Sequence, residues 1–374
     1  MTEVLAWLDE RAEEMAALVE ALVRIPTENP PGRELGRCAA LLHDALERLG
    51  FAPELIEPPG IVRGSVGDGD RLVYFHGHFD VVPAQSPTQF EPQRSDGRIV
   101  GRGTCDMKGG LVSMIYGAAA ARELGLLDGR RIVLHLVCDE ETGSTAGSGY
   151  LREAGLIDSG AVAMLTAEPT GGVIWNASRG GITLRVTTSG REAHVGFVHE
   201  GDNAFEHMIR IAEPLTALSH ELLERNSMLV VGGQAGAGAG FNVVPGSAWF
   251  SVDRRFNPDE DLDGELARLT GIVEASAAGA EVDVEVLQAQ PSGHTDEDHP
   301  AARMLAACVE AVTGRARFEL CPGVLDTRWY SQLGIPAFGY GGGRLEVAHG
   351  PNEYIDEADM RRCAAVYAQF AADV

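Results

Sequence analysis

Short apolar runs alternate with amphipathic helical stretches along most of this chain, and several runs end in a histidine or a carboxylate. Residues 2–24 set Leu5, Leu8, Met15, Leu18 and Leu22 on one helical face. Ile25-Pro26-Thr27-Glu28-Asn29-Pro30-Pro31-Gly32 ends that helix, because proline and glycine punctuate. A second helix is expected near 33–50, followed by strands near 53–57, 61–66 and 71–75. Met107 to Leu124 reads as a long helix of small residues able to pack closely on a sheet. A strand at 131–138, a helix near 146–154 and a strand at 161–166 follow. Continuous apolar runs of this length read as strands covered on both faces. Open α/β sheets carry their chemistry just beyond the carboxyl ends of such strands.

The texture changes at residue 180. Ile182 to Val186 alternates as a strand, 203–223 reads as a helix, and strands follow near 228–233 and 247–255. A helix at 259–277 and a strand at 281–288 complete the order β-α-β-β-α-β, the ferredoxin-like unit. The first pattern then resumes with a helix at 299–313, a strand at 335–340 and a last helix at 356–372. The expected fold class is therefore α/β, a domain over 1–179 and 291–374 split by an α+β insertion over 180–290. No internal repeat is seen.

Composition narrows the function. At 374 residues the chain exceeds one ordinary core. Its formal charge of 30 − 55 = −25 argues against nucleic acid or an anionic membrane as partner. The six cysteines are scattered without a C-x-x-C pair, as expected of reduced thiols in a cytoplasm. The amino terminus reads as a Glu-rich helix, not a signal peptide, and no apolar stretch approaches about 20 residues, so no membrane span is expected.

The chemistry gathers at strand ends. Ile132 to Cys138 runs into Asp139-Glu140-Glu141, three acids that repel one another unless solvated or neutralised by cations. Adjacent residues at a strand end point to opposite sides, so Glu140 and Glu141 need not share a job. Leu72 to Phe75 runs into His76-Gly77-His78-Phe79-Asp80. His78 and Asp80 share a face, where a carboxylate can fix the tautomer of a metal-bound histidine. His76 shares that face too, and spacing alone does not separate the two histidines. Val162 to Leu165 precedes Glu168-Pro169, and Ile335 to Tyr340 precedes a glycine run and then His349. Asp106 sits in the loop Gly101-Arg102-Gly103-Thr104-Cys105-Asp106, as a helix cap or as a ligand shared by two metals. Singly, each residue has an ordinary explanation as a surface pair, a cap or a turn. Two histidines and three carboxylates after separate strands point together to a metal site, and mixed N/O ligands suit zinc. Gly236-Ala237-Gly238-Ala239-Gly240 lacks phosphate-loop spacing and reads as a flexible hairpin. No G-x-S-x-G nucleophile motif occurs near the expected strand ends.

Gly77-His78-Phe79-Asp80-Val81-Val82-Pro83, Gly101-Arg102-Gly103-Thr104-Cys105-Asp106-Met107-Lys108-Gly109, Asp139-Glu140-Glu141 and Glu168-Pro169 together resemble the dinuclear zinc amidohydrolases and exopeptidases. That family includes acetylornithine deacetylase, succinyl-diaminopimelate desuccinylase, aminoacylase and glutamate carboxypeptidase. The resemblance spans nearly the whole chain. It implies a zinc-exopeptidase-like α/β/α catalytic domain, with the insertion serving as lid and homodimer interface.

By that resemblance His78, Asp106 and Glu168 bind one metal, and Asp106, Glu141 and His349 the other, with Asp106 bridging. The cofactor is two Zn2+ per subunit, with Co2+ or Mn2+ as substitutes. Glu140 matches the general base and Asp80 the partner of His78, and the Asp106–Met107 peptide is expected to be cis. His194 resembles the histidine that crosses from a partner subunit to the oxyanion. Asn242, Arg255 and Arg328 resemble the groups that clamp a substrate carboxylate. Val324-Leu325 precede Asp326 where relatives often carry threonine. The implied activity is hydrolysis of a small N-acyl amino acid, with a di- or tripeptidase, a carboxypeptidase and a non-catalytic binding protein as alternatives.

Overall fold

The computed structural model describes residues 1–57 and 60–374, and the chain divides into two compact units. The first comprises Met1–Ala177, His294–Leu320 and Asp326–Val374, the second Ser178–Gly293 and Cys321–Leu325.

The first unit is built on a mixed sheet. Four neighbouring strands, Arg130–Val137, Arg71–His78, Ala163–Thr166 and Ala337–Gly339, run parallel to one another in that spatial order. Ile61–Val66 and Ala52–Ile56 extend the sheet antiparallel beyond Arg130–Val137. Alternation along each strand feeds two cores. Val73, Phe75, Leu134, Leu136 and Leu165 join the helices Ala12–Val23, Leu35–Arg48, Gly109–Glu123, Pro300–Thr313 and Glu357–Asp373 on one face. Leu72, Tyr74, Val133, Val137 and Met164 pack with Leu151, Ile157, Tyr330 and Ile335 on the other. This is the α/β/α layering expected of strands apolar on both sides.

Parallel register puts every carboxyl end at one edge, so the segments after residues 78, 137, 166 and 339 emerge side by side, about 5 Å per strand. Two glycines make room there. A Cβ on Gly110 would stand 2.1 Å from the Ala167 carbonyl oxygen, and one on Gly341 2.3 Å from that of Glu168. Any larger residue at either position would push the segment bearing Glu168 away.

The second unit is a four-stranded antiparallel sheet ordered Met228–Ala237, Ser247–Phe256, Gly180–Ser189, Val282–Gln290. With the helices Ala204–Leu223 and Leu262–Ala277 on one face it is the ferredoxin-like unit. Met208, Ile211, Leu215, Leu218 and Leu222 form the helical stripe that covers Leu184, Val186, Phe250 and Val252. Period-two alternation sends Arg254 into that core and Arg255 to the uncovered face. Arg254 is fully buried, with Nε 2.7 Å from Glu265 and Nη2 2.8 Å from Glu260.

Several elements differ from their sequence reading. The first helix is two, Thr2–Glu10 and Ala12–Val23, interrupted at Arg11. The expected hairpin at 236–240 begins as strand, with Ala237 opposite Ala248. The strands Ile174–Ser178 and Phe318–Cys321 were not anticipated, being too short for a periodic signal. Among the described residues no helix is long and apolar enough to cross a membrane.

Substituting Arg254 by Ala strands two buried carboxylates, at a cost of about 3–5 kcal/mol. Urea denaturation followed by circular dichroism should show that loss, and a change below about 1 kcal/mol would contradict the buried pairing.

Candidate metal centre

Five side chains expected to bind metal converge in the first unit. Asp106 is central. Its Oδ1 lies 3.1 Å from His78 Nε2, and its Oδ2 lies 3.2 Å from His349 Nε2. Glu168 Oε1 approaches the same His78 nitrogen at 3.8 Å, and Glu141 Oε1 approaches the same His349 nitrogen at 3.3 Å. Ligand atoms of His78, Asp106 and Glu141 all fall within 4.8 Å of one another. One carboxylate thus divides its two oxygens between two histidines, each with a further acid.

Local structure explains the aim of each group. His78 Nδ1 donates to the Asp80 carbonyl oxygen at 3.0 Å, with Asp80 Oδ1 at 3.4 Å. That places a proton on Nδ1 and aims Nε2 at Asp106 and Glu168. Against the cost of burial, the bonds to Asp106 and Asp80 hold the ring well above the ordinary histidine range, so a metal at Nε2 takes the place of a proton. The main-chain oxygen is thus nearer His78 than the carboxylate expected to hold it. The Asp80 carboxylate instead accepts the backbone N–H groups of Glu140 and Glu141, both at 3.2 Å. Those residues open the turn Glu140–Thr142, so Asp80 joins the strand end at His78 to the neighbouring acid loop. Asp106 precedes the helix Gly109–Glu123, and its peptide bond to Met107 is cis.

Electrostatics show what the cluster lacks by itself. Burial, only partly offset by His78, pushes Glu168 up to about 8, with Asp106, Asp326 and Glu141 adding to the rise. Burial likewise raises Glu140 well above the carboxylate range, with Glu168, Asp326 and Glu141 adding to it against the pull of His78. For Asp106 burial is outweighed by bonds to His349 and His78, which hold it below the usual range. Bonds to Asp106 and Glu141 lift His349 to about 10. Buried like charges of this density are stable only with protons or cations among them. Two imidazoles and three carboxylates suit borderline divalent ions such as zinc, so the residues present fit two metals.

The structure separates His76 from His78. His76 Nε2 is 2.9 Å from Asp326 Oδ2 and Nδ1 is 3.0 Å from the Tyr330 hydroxyl. Ser144 and Ser148 donate to the same Asp326, making a buried polar lock on the loop that follows Glu141. Arg328 differs from expectation. It is 1% exposed, 3.1 Å from Asp326 Oδ1, and donates to the Gly143 carbonyl oxygen. It braces the lock through the Asp326 carboxylate.

In the second unit His194 pairs with Val243 in a short antiparallel ladder between Ala193–His194 and Val243–Val244, beside Asn242, whose carbonyl accepts from Val195 N–H. Gly196 N–H donates to His194 Nδ1 at 3.1 Å, which leaves the ring proton on exposed Nε2. Arg255 lies on the uncovered sheet face, held by both oxygens of Asp253. It does not join Asn242. Arg255 is opposite Gly181, at the far end of the strand Ser247–Phe256 from that ladder. Eight residues of strand, about 26 Å of rise, lie between Ser247 and Arg255. Of the three groups expected to clamp a carboxylate, Arg255 and Asn242 lie in the second unit and Arg328 in the first.

Some functional neighbours escaped the sequence reading. Asn29 donates to Asp80, to the Cys138 carbonyl oxygen and to Thr142. Arg102 lies inside a motif already noted and Glu353 four residues beyond His349, but nothing local marks either, because they pair with each other across 251 positions.

Parallel strands delivering histidines and acids to one buried cluster, interrupted by a ferredoxin-like insertion, define a metal-dependent hydrolase. The model of the M20/M25/M40 peptidase family matches residues 74–373, and the chain belongs to that family. A succinyl-diaminopimelate desuccinylase of Gluconacetobacter diazotrophicus is 31% identical over 376 residues, 94% of this chain and 95% of that protein. Among solved structures, an M20 family metallo-carboxypeptidase of Sulfolobus solfataricus superposes with a TM-score of 0.81 at 16% identity, covering 96% and 98% of the two chains. A dinuclear metal binding peptidase of Bacillus subtilis gives 0.76 at 17% identity, covering 97% and 98%.

Metal must displace protons from this cluster. Glu168, at about 8, and His349, at about 10, are both protonated below pH 8 in the metal-free protein. Zinc titration at pH 7 in buffers of differing ionisation enthalpy should show more than one proton released per chain, and affinity should fall from pH 8 to pH 6. Proton-neutral binding would contradict these electrostatics.

Proposed function

We propose that this hydrolase cleaves the amide bond of an N-acyl amino acid at a pair of zinc ions, with cobalt or manganese as working substitutes. The observation that carries the reading is the divided carboxylate of Asp106, each oxygen facing a different histidine and acid. His78 and Glu168 would hold one ion and His349 and Glu141 the other, with Asp106 bridging. Bound there, the ions supply Lewis acidity, which lowers the pKa of a water and polarises a carbonyl.

The chain's own groups do the rest. Glu140 takes a proton from the attacking water and passes it to the leaving amine. Burial raises its proton affinity, which suits a group that must both accept and donate. Asp80 holds the backbone of Glu140 and Glu141 together, so base and ligand keep one spacing. His194 offers Nε2–H to the developing oxyanion, a contribution of about 3–4 kcal/mol where such donors are measured. Arg255 would grip the substrate carboxylate with its fork, exchanging Asp253 for it. Arg328 keeps a positioning role through Asp326. The 31% identical desuccinylase, which by its name acts on an acylated amino acid, supports this substrate class.

The insertion also supports a homodimer. Its sheet puts about 26 Å of strand between Arg255 and the end that leads to His194 and Asn242, longer than one small substrate spans in a single copy. A second copy resolves the conflict by supplying His194 and Asn242. Val195, Phe197 and Val198, 57%, 57% and 59% exposed next to His194, suit burial against such a partner.

Replacing Glu140 by Ala should leave two metals bound and lower kcat by about 10²–10⁴-fold. Normal turnover by that variant would remove Glu140 from the mechanism. A panel of N-acyl amino acids and dipeptides, offered to metal-stripped protein with and without zinc, separates deacylase from peptidase by the class that zinc rescues. Mixing Glu140→Ala with His194→Ala chains should restore about a quarter of wild-type activity, since half of random dimers hold one complete site. If mixing restores nothing while each variant remains folded, His194 does not act across subunits.

A further inference from the structure

The His349 segment carries a metal ligand yet has an unfavourable backbone. His349 adopts φ 61°, the left-handed region that a residue bearing a Cβ seldom occupies. Such a conformation persists only where surrounding bonds over-determine it. Here the bonds come from one short stretch, residues 85–106.

Arg102 is the centre of it. Flanked by Gly101 and Gly103, the latter at φ 82°, its side chain turns inward and is 1% exposed. Nη1 donates to Glu353 Oε2 at 2.6 Å and Nη2 to the His349 carbonyl oxygen at 3.1 Å. Gln85 Nε2 donates to the same carbonyl at 2.9 Å, and Gln89 Nε2 to that of Gly350 at 3.0 Å. Glu353 completes the circuit: its Oε1 accepts the backbone N–H groups of Cys105 and Asp106, both at 3.0 Å. One guanidinium fork therefore spans from the backbone of one ligand, His349, through Glu353 to the backbone of another, Asp106.

We propose that Arg102 is the positioning residue for the second metal position, the one between Asp106 Oδ2, Glu141 and His349. This rests on the two-metal reading given above. The consequence is asymmetric. His78 and Glu168, on their own strand ends, keep their aim when the brace is weakened. His349 is 48% exposed along its side chain and sits in a turn outside any strand, so it loses its aim first. Lysine in place of Arg102 keeps the charge opposite Glu353 but has no fork to hold the His349 carbonyl at the same time. Gln85 is exposed and also accepts from Arg102 Nη2 through Oε1 at 3.1 Å; its removal leaves Arg102 paired with Glu353, so Gln85→Ala loosens the same brace without threatening the fold.

The test is zinc binding to the metal-stripped full-length protein, by competition with a chromophoric chelator, for wild type, Arg102→Lys and Gln85→Ala. Wild type should take two zinc ions. In Arg102→Lys the first should bind within about 2-fold of wild type and the second at least about 10-fold more weakly, the scale seen when support for a metal ligand is removed. Gln85→Ala should weaken the second ion alone, to a smaller degree. With saturating zinc, kcat should fall more than KM rises. Equal weakening of both ions, or two ions bound by both variants as tightly as by wild type, overturns the role of Arg102. Fewer than two ions in wild type would instead overturn the two-metal reading itself.

Discussion

Repulsion among buried like charges is the constraint on which this molecule turns. Parallel pairing brings four strand ends to one edge, and the sequence places carboxylates or histidines after each of them. Asp80, Asp106, Asp139 and Glu168 are all buried there. Isolated carboxylates in such surroundings would take up protons, and the raised proton affinities of Glu140 and Glu168 express that tendency. Divalent cations remove the conflict and leave the acids ionised. The site is thus an anionic cage whose shape is set by the sheet and whose charge calls for metal.

Hydrogen bonds between loops keep the cage in register. Asp80 accepts from the backbone of the Glu140 loop, Glu353 from that of Asp106, and Asp326 from the serines that follow Glu141. Each acceptor comes from a segment distant in sequence, so each bond joins two loops that carry chemistry. Buried polar groups of this kind are satisfied almost without exception in folded proteins. Here that requirement also serves function, because satisfying the loops fixes where the ligands point.

Much of this was legible in the sequence because function sits where hydrophobic patterning stops. His78, Asp106, Glu141, Glu168 and His349 each follow an apolar run or a glycine-bracketed turn, and the structure brings all five together. The alternation around Arg254 and Arg255 was equally readable, and it separates a core ion pair from an open guanidinium. Local pattern failed where partners are remote. His76 and His78 have the same parity on one strand, and only the position of Asp326, some 250 residues later, distinguishes them. Arg328 is engaged by Asp326, two residues before it, and by the Gly143 carbonyl oxygen, some 185 residues away, and only the second of these is out of reach of local pattern. The distance between Asn242 and Arg255 depends on strand direction and register, which no short motif encodes.

A crystal structure of the zinc-loaded protein, with anomalous scattering collected above and below the zinc edge, tests the account most directly. Two peaks about 3.5–4 Å apart, one on each side of Asp106, are predicted from the geometry of paired-metal sites. One should touch His78 and Glu168, the other Glu141 and His349. A single peak, or zinc bound elsewhere while the five side chains keep their places, would contradict it.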